Sequence, residues 1–146
     1  MTAARKGITR QEAVRRVLQG MTDDSVGYAA LQTLLEEQFQ ATLQHQSTRL
    51  TALADQVIAA VEPLDARRRQ RVSLVTALLG PQGDMPQLFA LLQEDARSKA
   101  EADWVALEQM VLECKRLNAR NSEFLTEQYS IMQRVLHGEE DTYAPG

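Results

Sequence analysis

Between Gly27 and Gly80 the chain runs 52 residues with no glycine and one proline, Pro63; between Gly83 and Gly138 it runs 54 more with only Pro86. Strands need turns, and turns need glycine, proline or asparagine at set positions, so spans this free of punctuation argue against a sheet. They are filled instead with Leu, Ala, Gln, Glu and Arg, the residues that lose least on entering a helix. Alternation of apolar and polar residues is hard to find. The fold class expected is all-α: an elongated antiparallel helical hairpin or bundle with coiled-coil-like packing.

The elements follow from periodicity and caps. A short helix is predicted over 9–19, because Thr9 and Glu12 stand at capping-box spacing and Gly20 follows as a stop. Tyr28, Leu31, Leu35, Phe39, Leu43, Gln46, Leu50, Leu53, Val57, Val61 and Leu64 then mark ten steps over 36 residues, about 3.6 per step, the α-helical repeat. All but Gln46 are apolar. The polar stretch around Gln46 reads as a stutter or break, and Pro63 as a kink or interruption. GPQGDMP at 80–86 is a hairpin loop, with Gly80 as stop and Asp84 as cap of the next helix. The last helix is predicted over 86–137, with a bend near 96–98 and a solvated tail after Gly138. Domains are expected as an N-terminal extension at 1–22, a helical body at 23–137 and a flexible tail at 138–146.

Composition narrows the function. Sixteen basic against twenty acidic residues give a net charge of −4, against the cationic excess of a nucleic-acid binder. No apolar run reaches the ~18 residues a membrane span needs. The first sixteen residues are Arg-rich and lack the apolar core of a secretory signal. They look superficially like an organelle transit peptide, but Glu12 and the helix behind it fit a structured start. A cytoplasmic, reduced setting is expected. The single cysteine, Cys114, has no disulfide partner and reads as a small buried apolar residue. His45 and His137 lack ligand-spaced partners. No constellation supports catalysis, a metal or a cofactor, so an enzyme is not expected. Arg67, Arg68, Arg69 and Arg71 form the basic run, read as a solvated helix surface or a dock for an acidic partner. Glu139, Glu140 and Asp141 keep the tail hydrated.

On a wheel of about 100° per residue the last helix carries two stripes. Trp104, Leu107, Met110, Val111, Cys114, Leu125, Tyr129, Met132 and Leu136 make the expected packing face. Leu117, Phe124, Ile131 and Val135 make a second stripe beside it. Together they span about 160°, more than the ~100° one partner helix covers. Two neighbours within the chain would bury that excess; an exposed groove for another protein's helix would use it. Asn118 and Asn121 fall inside the packing stripe, where a buried Asn sets register or meets a ligand.

Trp104, the Leu-Asn-x-x-Asn formed by Leu117, Asn118 and Asn121, the amphipathic stretch after it, and a tail Tyr with Gly close behind resemble the flagellar export chaperones of the FlgN family. The stretches LLEEQFQATL and LADQVIAAVEPLDARRRQR are similar to the family's long first helix. The resemblance spans roughly 26–146. Ser122 stands where the family often has Gly, and 1–22 looks like an addition. The resemblance implies a cytoplasmic chaperone that binds the helical termini of hook-associated proteins, stops them assembling early and delivers them to the export gate. It implies cargo contact over 117–136, through Leu117, Phe124, Ile131, Met132 and Val135, with Tyr143 facing the export machinery. A self-associating structural coiled coil or adaptor, including a homodimer, is the alternative reading of the long stripe.

Overall fold

A computed structural model describes residues 8–143, with side chains described through 128 and at 130, 131, 134 and 135. Four helices follow in order: α1 Arg10–Leu43, α2 Ser47–Leu79, α3 Met85–Phe89 and α4 Glu94–Tyr143. The all-α expectation is met. α1 is the spine. α2 packs antiparallel to it, as the pairings of Asp24 with Arg67 and of Glu37 with Arg49 record. α4 runs parallel to α1, because Cys114 meets Tyr28 and Asn121 meets Leu35 at one constant offset of 86 residues.

The caps hold as read. The Glu12 amide donates to Thr9 Oγ1 at 3.0 Å. Only half of that capping box forms, because the Glu12 carboxylate turns to Arg15 instead, and that hydrogen bond holds its pKa down at about 2. Asp84 and Gln87 make a complete capping box on α3.

Several expectations on breaks are corrected. The predicted helix 9–19 does not stop at Gly20: α1 passes straight through it. Glycine ends a helix only where the chain can gain by turning, and here Val17 and Met21, either side of Gly20, are buried in one core with Leu88, Phe89 and Leu107. Burial outweighs the ~1 kcal/mol glycine penalty. Of the two readings of the polar stretch around Gln46, the break is the one found: the stripe from Tyr28 to Leu64 is two helices, parted at 44–46, where His45 takes φ of 54°. Pro63 does not interrupt α2. It is exposed, so the carbonyl it leaves free faces water. The break before α4 lies at 90–93, not 96–98, and α4 continues past Gly138 to Tyr143.

The two glycines of α1 should respond in opposite ways. A Cβ at Gly20 meets nothing within 4 Å, whereas one at Gly27 comes within 2.8 Å of Leu64 Cδ2 and 3.0 Å of Arg67 Nη2. Gly20→Ala is expected to stabilise the fold by about 0.5–1 kcal/mol. Gly27→Ala is expected to destabilise it, since Leu64 is buried and Arg67 is held by Asp24. Urea melts of the two variants check both signs.

Candidate interaction site at the end of the last helix

Two polar clusters tie the helices before any surface is left over. In the first, Asp24 on α1 is 1% exposed and accepts from Arg67 Nε at 2.6 Å and Arg71 Nη1 at 2.8 Å. A carboxylate this buried needs both cations. The Arg71 guanidinium also lies 5.3 Å from the Trp104 ring centre, and Trp104 meets Phe89 edge to face. Asp24, Arg71 and Trp104 thus join α1, α2 and α4 in one line. The basic run is therefore divided: Arg68 and Arg69 are exposed and pair with Asp65, while Arg67 and Arg71 turn inward. The expectation of a wholly solvated run is corrected. The signal in the sequence is the four-residue step from Arg67 to Arg71, which puts both on the Leu64 and Val75 face.

In the second cluster, Asn121 is 2% exposed. Its Nδ2 donates to the Leu35 carbonyl at 2.8 Å and to Gln38 Oε1 at 2.9 Å. Its Oδ1 accepts from Arg120 Nε and Nη2 at 3.2 and 3.1 Å. Arg120 then stacks 3.7 Å over the Phe39 ring and reaches Glu36. Asn121 is a buried asparagine tied to α1. Asn118 is exposed, so the expected buried pair is reduced to one residue.

The packing face of α4 keeps the expected Trp104, Leu107, Met110, Val111 and Cys114, each buried or half-buried, and widens to take in Leu117. Ala100, Leu107, Cys114 and Asn121 are buried at seven-residue steps, and Leu117 is fully enclosed between them. Leu117 lies in the core with Leu31 and Leu35 and cannot itself offer a surface. Phe124 is half-buried and meets Phe39 edge to face at 5.7 Å. Leu125, placed on the packing face by the wheel, is 37% exposed. A straight helix drifts about 20° per heptad against a seven-residue seam, and over this length the drift moves the face. Burial raises the pKa of the Cys114 thiol, whose Sγ lies 3.6 Å from the Tyr28 carbonyl. Cys114 is expected to resist aromatic disulfide reagents at pH 8 in the native chain and to react at once in denaturant; fast native labelling would show that α4 lifts from α1.

Beyond position 129 the seam loses its partner. The offset of 86 carries Leu43, the last residue of α1, to position 129, while α4 continues to 143. About fourteen residues, or about 20 Å of helix, project past the hairpin. On this overhang Ile131 is 53% and Val135 56% exposed. The structure thus keeps two of the five expected contact residues on an open face, Ile131 and Val135. It divides Phe124 between core and face and withdraws Leu117. The side chains of Met132 and Tyr143 lie outside the described residues.

The longest helix of the hairpin carries its packing seam past its own partner and leaves apolar side chains open there. Over residues 13–137 the chain matches the family model described as FlgN protein, and it belongs to that family. The match begins thirteen residues upstream of the resemblance noted in the sequence, and takes in Val17 and Met21 of the core. No curated protein and no solved structure matches the chain. Membership makes it a flagellar export chaperone, in a family that works by binding rather than by catalysis. Among the described residues no helix is long and apolar enough to cross a membrane.

Proposed function

We propose that this chain binds helical termini of hook-associated, filament-junction proteins in the cytoplasm, holds them unassembled and delivers them to the export gate. Family membership supports the class of cargo. The observation that carries the reading is the overhang of α4, with Ile131 and Val135 open to solvent on the line of a seam that is dry farther back. An amphipathic cargo terminus would otherwise polymerise, and an apolar seam without a partner offers it a temporary one. Phe124, Ile131, Met132 and Val135 would meet cargo. Leu117 would act from inside, by fixing α4 against α1. Tyr143 would meet the export machinery. The division into a segment 1–22, a chaperone body 23–137 and a tail 138–146 belongs to this proposal, with residues 10–22 lending their helix to the body.

Calorimetry with purified hook-associated proteins tests it. Saturable binding at about micromolar affinity or tighter is expected with at least one of them. No heat and no co-elution with any would overturn it. A tight dimer that buries the overhang and ignores this cargo would favour the self-associating coiled coil instead.

A further inference from the structure

α2 carries a second row outside the face it gives to the core. Leu53, Leu64 and Val75 turn inward. About a quarter-turn round the helix stand Ile58, Val61, Asp65, Arg68 and Val72, at steps of three, four, three and four, the spacing of a coiled-coil seam. Among the described residues no helix of the chain covers the apolar members of this row: Ile58 is 60%, Val61 41% and Val72 54% exposed. Past Val72 the row turns in, since Val75 is 6% exposed and belongs to the core. In the middle of the row Asp65 holds Arg68 at 3.1 Å and Arg69 at 3.4 Å along the same helix. Reversed, the row from Val61 to Val72 is its own complement. Valine meets valine at the ends, and acid meets base in the middle. Glu62 and Arg69, one step aside on the same flank, complement each other in the same way.

We propose that α2 pairs with α2 of a second copy, antiparallel, about a two-fold axis that passes between Asp65 and Arg68. Val61 then lies against the partner's Val72, Asp65 against the partner's Arg68, and Glu62 beside the partner's Arg69. Each contact occurs twice, as a two-fold axis requires. Ile58 extends the apolar patch at either end. The polar layer in the middle sets direction and register. Parallel helices would oppose Asp65 to the partner's Asp65, and a slide of one heptad would set Asp65 against Val61 or Arg68 against Val72. Three exposed apolar side chains per copy make a small interface, so the dimer is weak, with a dissociation constant of about 10–100 μM. The antiparallel axis sends the two α4 overhangs to opposite ends of the pair and covers neither. The pairing stands apart from the client-docking reading, because no residue of this row lies on α4.

Sedimentation equilibrium of the intact chain, from about 10 μM to about 1 mM, tests the pairing. The parent is expected to pass from monomer to dimer over that range. A Val61→Asp, Val72→Asp variant is expected to stay monomeric throughout. Both side chains are exposed in the free chain, so its melting midpoint and its affinity for a hook-associated protein are expected to match the parent's. Arg68→Asp sets acid against acid, and is expected to weaken the dimer about tenfold at low salt and less at about 0.5 M salt. The exchange Asp65→Arg, Arg68→Asp returns opposite charges to both sides of the axis and is expected to recover the dimer. A parent that is monomeric at the top of the range, a dimer that survives Val61→Asp, Val72→Asp, or an exchange no tighter than Arg68→Asp alone overturns the proposal. So does a dimer that comes apart on Ile131→Asp, Val135→Asp, which would seat the second copy on the overhang. An α2-paired dimer that binds no hook-associated protein would uphold this pairing while the client-docking reading falls.

Discussion

An Ile131→Asp, Val135→Asp double variant is expected to bind hook-associated cargo about a hundredfold more weakly, with its thermal midpoint unchanged. Both side chains are more than half exposed, so neither contributes much to the fold of the free chain. In a complex each would be pressed against an apolar partner, and a carboxylate there loses hydration that nothing returns. Two such sites at about 1.5 kcal/mol each give the stated loss. Calorimetry and a melting scan on the same preparation read both halves. Substitutions at Phe124 or Leu117 would confuse the two. Phe124→Ala removes an edge-to-face contact with Phe39 inside the chain, and Leu117→Ala opens a cavity in the core. Either would weaken cargo binding by loosening α4, whatever the cargo touches. Parent-like affinity in the double Asp variant would remove the overhang as the docking face.

The largest effect on stability is expected at Asp24. An Arg67→Ala, Arg71→Ala variant leaves a carboxylate with 1% exposure and neither of the cations that now hold it at 2.6 and 2.8 Å. Stranding a buried charge costs about 3–5 kcal/mol, which for a chain of this length is about 10 °C in melting temperature. The Arg71 stack on Trp104 is lost with it, at about 0.5–1 kcal/mol. Adding Asp24→Leu should restore most of the loss, because an apolar residue in an apolar site asks for no partner. A double variant that melts within 2 °C of the parent would mean that the ion pairs do not hold Asp24 as drawn. This cluster gives Trp104 of the family pattern a physical role. It is the plate on which an α1–α2 ion pair leans.

The seven-residue row is where reading and structure part. A wheel of 100° per residue sorted α4 into two stripes, put Leu125 on the packing face and left Leu117 open to either burial within the chain or a partner. The structure encloses Leu117 and leaves Leu125 37% exposed. The row Ala100, Leu107, Cys114, Asn121 was available to inspection, but a seven-residue period matters only if another helix lies alongside for several heptads. Whether one does, and where it stops, is not a local property.

What the residues determine alone is local. Thr9 and Asp84 start helices because their side chains reach amides three residues on. Gly80 stops one because, at φ of 88°, it adopts a backbone that other residues avoid. The scarcity of other punctuation makes nearly everything between them helical, and the Leu-Asn-x-x-Asn with Trp104 carries the resemblance to the family. The tertiary structure decides which candidate breaks are used and which apolar residues stay wet. Gly20 and Pro63 are crossed, and 44–46 is not, because continuing α1 and α2 lets Met21, Leu64 and Val75 bury, whereas the reversal at 44–46 brings the two helices together. Ile131 and Val135 are as apolar as Leu107 and Leu117. They differ only in lying past the end of α1, and burial depends on a neighbour being there.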